Sequence, residues 1–257
     1  MAIFLITLLA CEKLDAAAGL LDDLGDTTVA QAIFLGADIP QGLEESEDSG
    51  LYSAFCKVFL AELTDTSDLA NNPVSDAEVS FLSSETGKLP LEQTDEGEYR
   101  LYSFDGLSYA PGQAATVQFS VGGEEGVLQV EAPLAPEFSV PSEAVARHGL
   151  VVDITEGEFT NVVGAVFDLD RGKLVWDSLP EDVLETAELN GPDDPVIREF
   201  AIPADAFPRG STYVVGLAGL EIGAQENITG VNRALSTFAA GQLGLRLLSV
   251  SAQTQPN

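Results

Sequence analysis

Basic residues are scarce in this chain: 11 Lys and Arg stand against 42 Asp and Glu, a formal net charge of −31. Binding to nucleic-acid phosphates or to anionic lipid headgroups depends on clustered Lys and Arg. No such cluster occurs, so nucleic acid is excluded as a partner. Histidine occurs once, at His148, so no metal site with two imidazoles can be built and only one imidazole base is available. Cysteine occurs twice, at Cys11 and Cys56, which limits the chain to one disulfide. Long apolar runs are also missing. The uncharged stretch from Ala2 to Ala10 is far below the roughly 20 residues of a membrane-spanning helix.

What is present argues for packed domains. The chain has 257 residues, of which 45% are hydrophobic, and a mean hydropathy of +0.14, a composition of folded cores rather than disorder. The carboxylate excess reads first as a device for solubility. A dense carboxylate surface also collects divalent cations, which is the weaker expectation.

The apolar run from Ala2 to Ala10 is followed at Glu12 by an abrupt turn to polar and acidic sequence. Its length fits the 7 to 15 residues of a secretory h-region. An n-region normally carries Lys or Arg, and here neither precedes the run. Read by composition alone, the segment is either a first β-strand or an ordinary signal peptide with an incidental cysteine. Leu8-Leu9-Ala10-Cys11, however, resembles the lipobox of bacterial lipoproteins. That resemblance implies cleavage between Ala10 and Cys11, a diacylated Cys11 and a membrane partner reached through that lipid. Glu12, rather than Asp, follows the cysteine, which by resemblance to enterobacterial sorting implies the outer membrane. An acylated Cys11 leaves Cys56 without a disulfide partner. Within Ala54-Phe55-Cys56-Lys57-Val58, Cys56 is expected to be a small buried hydrophobe, with Lys57 on the opposite strand face.

From about residue 28 onward the punctuation is that of β-structure: short apolar runs bounded by Gly, Pro, Asn and Asp at sandwich-like intervals. Strands are expected at 29–36, 53–63, 77–83, 98–103, 115–121 and 127–132, and again at 150–155, 162–168, 173–177, 197–202, 212–222 and 243–251. Pro133 and Pro136 interrupt the pattern, because proline donates no ladder hydrogen bond. A domain boundary is therefore expected there. The small residues of 232–241 predict a short helix, with Gly241 as its C-cap, or an ordered loop. The resulting division is a signal at 1–10, a lipidated cysteine and tether at 11–27, a first β-sandwich at 28–133, a second at 137–251 and a frayed tail at 252–257. The fold class is all-β, with two Ig-like or transthyretin-like sandwiches.

Part of the first sandwich carries a second resemblance. Pro73-Val74-Ser75-Asp76-Ala77-Glu78-Val79-Ser80-Phe81, Thr94-Asp95-Glu96-Gly97-Glu98-Tyr99 and Leu107-Ser108-Tyr109-Ala110-Pro111-Gly112 resemble the exported β-sandwich modules of the carboxypeptidase regulatory-like and transthyretin-like group. The resemblance implies a structural or adhesive module, with no catalytic residues carried over. Independently of it, Gly97 adopts positive φ without steric cost, and this delivers Tyr99 into the next strand facing inward.

Signals for chemistry are thin. No Gly-x-Ser-x-Gly nucleophile turn occurs, and His148 in Ala146-Arg147-His148-Gly149 reads as a turn or surface histidine. The Asp-x-Asp of Asp168-Leu169-Asp170-Arg171-Gly172, with Asp177 nearby, offers the hard oxygen ligands that Ca²⁺ takes, although not in EF-hand spacing. Asp65, Asp68, Asn71 and Asn72 form a second oxygen-rich loop. Trp176 alternates with Leu174 and is expected in the core. The expected function is an exported, lipid-anchored envelope module with a structural or binding role, its partner an envelope protein or glycan. The alternatives are a carboxylate-dependent hydrolase and a Ca²⁺-stabilised adhesin.

Overall fold

The computed structural model describes residues 27–39, 45, 49–63, 72–179, 189, 194–224, 229–232 and 235–252. The expected signal, lipidation site and tether, together with Asp65, Asp68 and Asn71, lie outside the described residues.

The described chain is all-β. Strands β1 (Thr27–Ala37), β2 (Ala54–Leu63), β3 (Glu78–Ser83), β4 (Gly87–Pro90), β5 (Glu92–Asp95), β6 (Glu98–Tyr102), β7 (Ala114–Val121) and β8 (Glu124–Glu131) come first. They are followed by β9 (Glu137–Ser139), β10 (Glu143–Val145), β11 (Leu150–Glu156), β12 (Asn161–Asp168), β13 (Lys173–Asp177), β14 (Glu199–Ile202), β15 (Ser211–Ile222) and β16 (Thr237–Ser251). Every strand expected from the alternation is present. The four that the pattern did not signal, β4, β5, β9 and β10, are short, and all four residues of β5 are exposed. Such strands bury too little apolar surface to leave a period-2 signature.

One long sheet runs β13-β12-β15-β16-β1-β2-β6-β5, with β10 added beside the end of β16. Two small sheets, β4-β3-β7-β8 and β14-β11-β9, complete the fold. Both pack on the same face of the long sheet. Under the first lie Phe34 and Ala32 of β1, Cys56 and Val58 of β2, Tyr99 of β6, and Phe238 and Ala240 of β16. Under the second lie Val166 of β12, Tyr213, Val215 and Leu217 of β15, and Leu248 and Val250 of β16. Residues 28–133 thus supply most of one core and residues 137–251 the other. The even-numbered residues of β16 serve both.

The helix expected over 232–241 is not formed. Leu235 and Ser236 are non-helical, Thr237 to Gly241 open β16, and residues 233–234 lie outside the description. Small residues favour a helix only weakly. Here β1 pairs in parallel on one side, Phe238 with Ala32, while β15 pairs antiparallel on the other, Ala240 with Glu221. Two ladders outweigh the local propensity. Gly241 is therefore no cap: a side chain there would meet Leu220 and the Gly219 carbonyl within 3 Å.

Candidate functional site

The second face of the long sheet carries the odd-numbered residues of β1, β2 and β16 and is covered by neither small sheet. Leu35, Phe55, Ala165, Phe167, Leu174, Val214, Gly216, Leu243 and Leu245 surround an apolar cavity of about 100 Å³. Six strands contribute to it. On a flat sheet β13 and β2 would lie about 24 Å apart, five spacings of about 4.8 Å. That interval is spanned by the segment leading into β2: Gly50, Leu51 and Tyr52 lie over the face, and Ser49 accepts a hydrogen bond from the Leu174 amide at 2.9 Å. Leucine side chains fill the space above Gly216. A Cβ on Gly216 would stand 2.8 Å from Leu243 Cδ2 and 3.0 Å from Leu245 Cδ2.

Aromatic rings stand beside the cavity. The Tyr52 and Tyr102 centroids are 4.6 Å apart, Phe55 and Tyr102 5.4 Å, and Tyr102 stacks on Phe104 at 5.0 Å and 15°. Phe104 is 54% exposed. Next to the rings, Glu98 pairs with Lys57 at 3.2 Å and with Arg100, and accepts from Thr94 Oγ1 at 2.8 Å. Burial works to raise the Glu98 carboxyl; the hydrogen bonds from Arg100 and Thr94 and the charge of Lys57 outweigh it, leaving the group below its ordinary pKa. Lys57 does lie on the face opposite Cys56, over the Phe59 ring.

The Asp168, Asp170 and Asp177 candidates do not converge. Asp168 and Asp170 share the Ser211 hydroxyl, each with an oxygen 2.7 Å from Ser211 Oγ. Asp168 is fully buried and takes a two-pronged contact from Arg209 at 3.0 to 3.2 Å. A guanidinium thus stands where a cation would bind. Desolvation raises the Asp168 carboxyl, and the hydrogen bonds from Ser211 and Arg209 with the charge of Arg209 more than offset it, so its pKa is lowered. Asp177 sits at the other end of β13, where it accepts from the Leu179 amide at 3.1 Å. No group of three potential metal ligands among His, Cys, Asp and Glu occurs among the described residues.

His148 is exposed, with Nδ1 3.1 Å from the Ala146 carbonyl. Cys56 is fully buried in the first core, and burial pushes its thiol far up. Trp176 is half-buried against the second core and Phe200, but Leu174 does not share its face. A bulge at Val175 pairs Trp176 with Val166 and Leu174 with the adjacent Phe167. Adjacent residues face opposite ways, so Trp176 points to the core and Leu174 to the cavity.

The sequence reading missed the second face, although a signal existed. In β2, Phe55 and Phe59 alternate with Cys56, Val58 and Leu60, and in β16, Leu243, Leu245 and Leu247 lie at odd positions while Phe238, Ala240, Leu248 and Val250 lie at even ones. A strand apolar on both sides needs a partner on both.

No protein-family model matches the chain, and no curated protein matches it by sequence. Among solved structures it is similar to CopC from Methylosinus trichosporium OB3b, at 16% identity and a TM-score of 0.28, over 48% of this chain and 98% of that one. The BSP domain of a biofilm associated protein follows at 11% and 0.26, over 90% of this chain and 30% of that one. The Ig tandem domains of titin match at 9% and 0.23, over 90% and 100%. At these values the matches assign no activity.

Proposed function

We propose that this protein is an exported envelope protein, anchored in the outer membrane by a lipid on Cys11, and that it acts by binding rather than by catalysis. Leu8-Leu9-Ala10-Cys11 at the end of an apolar run supports the anchor. The observation that carries the binding role is the apolar second face of the long sheet, with its cavity and flanking rings. An apolar cavity with few polar groups, flanked by rings of which Phe104 is exposed, has the form of a ligand site. Among the described residues, Asp168 is tied to Arg209 and Cys56 is sealed in the core. Fractionation of the native envelope tests the anchor. Wild-type protein is expected with the membranes and to need detergent for release, whereas Cys11→Ala is expected to lose the lipid; equal lipid content in the two would overturn the assignment.

A further inference from the structure

We infer that the exposed ring of Phe104, backed by Tyr102 and accompanied by the carboxylates of Glu45 and Asp105, binds a small quaternary ammonium cation. The inference deepens the binding role proposed above by naming a ligand class, and it rests on that role. Tyr52 and Phe55 are in contact with Tyr102, their centroids 4.6 and 5.4 Å from its own. Phe104 is the one exposed member of the group, at 54%, in the short turn Ser103–Asp105 that follows β6. Tyr102 lies against one of its faces at 5.0 Å and 15°, so the exposed part of the ring is its other face and edge. The face of an aromatic ring is the negative end of its quadrupole and attracts a cation.

The surrounding charge sets the sign of the ligand. Asp105, next in the chain, accepts from the Tyr102 amide at 3.4 Å. Glu45 accepts from the hydroxyl of Ser103, the residue before Phe104, and from the Ser53 amide. Burial works to raise the Glu45 carboxyl, and these hydrogen bonds outweigh it, so its pKa is lowered and the group is ionised at neutral pH. The two basic side chains nearby already have counterparts. Lys57 and Arg100 both pair with Glu98, and Arg100 also lies opposite Glu92 in register. Among the described residues, no cation pairs with Glu45 or Asp105. A net charge of −31 adds to the attraction. A primary ammonium is strongly hydrated, whereas a quaternary one has no N–H to satisfy and loses little on meeting a half-exposed ring. A phosphate on the same ligand would meet Glu45 and Asp105, so the free cation is expected rather than a phosphocholine head group.

Titration of the full 257-residue chain carrying Cys11→Ser, followed through the proton resonance of the ligand's methyl groups, provides the test. The probes are choline, its neutral isostere 3,3-dimethyl-1-butanol, and phosphocholine. Choline is expected to saturate, its methyl signal displaced upfield as over a ring face. At low salt it is expected to bind at least about fivefold more tightly than the isostere, with the gap closing as salt screens the carboxylates. Phosphocholine is expected to bind more weakly than choline; the reverse order would overturn the choice of a free cation. Phe104→Leu keeps an apolar side chain at an exposed position and is expected to lose about fivefold in affinity together with the upfield displacement, while Phe104→Trp restores both. Asp105→Asn keeps an acceptor for the Tyr102 amide and is expected to weaken choline about threefold. Glu199→Gln, the same change of charge at an exposed place on β14, is expected to leave binding unchanged. Equal affinity for choline and its isostere would overturn the cation and keep the binding role. Equal affinity in wild type and Phe104→Leu, or no saturation with any probe, would overturn the inference at this ring. Because Cys11 is replaced throughout, neither failure touches the anchor.

Discussion

Tyr99 joins separate parts of the first sandwich through one oxygen: its hydroxyl donates to the Val74 carbonyl and accepts from the Ala77 amide, both at 3.0 Å. Tyr99→Phe leaves both backbone groups without that partner, and a loss of about 1 to 3 kcal/mol is expected in urea unfolding. The inward turn of Tyr99 was legible from Gly97-Glu98-Tyr99, since Gly97 takes φ of 70°. Its partners, more than 20 residues upstream, left no local trace. The same holds for Asp168. Its carboxylate was visible as part of a turn, but Arg209, 41 residues later, decides what it does. Arg209→Met strands a buried charge and is expected to cost about 3 kcal/mol. The pH dependence follows in sign. The folded carboxyls of Asp168 and Glu98 lie below their ordinary values, so the unfolded chain binds those protons more readily. Their stabilisation is present above about pH 4, where unfolded Asp and Glu are ionised, and is lost as pH falls through the folded values. Melting curves between pH 5 and 3 are expected to fall more steeply for wild type than for Arg209→Met; parallel curves would exclude the pair as a source.

Among the elements, β16 shows most plainly what local sequence withholds. Its start reads as a helix because Ala239, Ala240 and Gly241 carry little β preference of their own. Pairing with β1 and β15 decides the matter, and those partners are remote in the chain. Strands with one buried face, such as β7 with its alternating burial, were legible directly, since period-2 alternation needs no knowledge of the partner. Two glycines on the second face of the long sheet make the packing testable. A side chain at Gly241 would meet backbone, the Gly219 carbonyl at 2.9 Å, whereas at Gly216 it meets first the ends of leucine side chains. Gly241→Leu is therefore expected to cost about 1 to 3 kcal/mol through overpacking. Gly216→Leu is expected to cost less. The reverse order in denaturant titration would mean that the face is packed otherwise.

At the scale of the molecule, the sequence announced two sandwiches by the spacing of its strands and by Pro133 and Pro136. It did not announce that they share a sheet. Phe238 and Ala240 complete one core while Leu248 and Val250 complete the other, so loss of β16 opens both. Scanning calorimetry is accordingly expected to show one transition with matching calorimetric and van't Hoff enthalpies; two resolved transitions would separate the sandwiches energetically. With a net charge of −31, self-repulsion opposes compactness, and the melting temperature is expected to rise as salt screens it. The same charge disfavours contact with anionic surfaces, which accords with the attachment proposed through a lipid on Cys11. The intact mass of the protein isolated from its native membranes tests that attachment most directly. A chain that begins at Cys11 and carries the mass of a diacylglyceryl group is the expected result; an unmodified N-terminus at Met1 would contradict it.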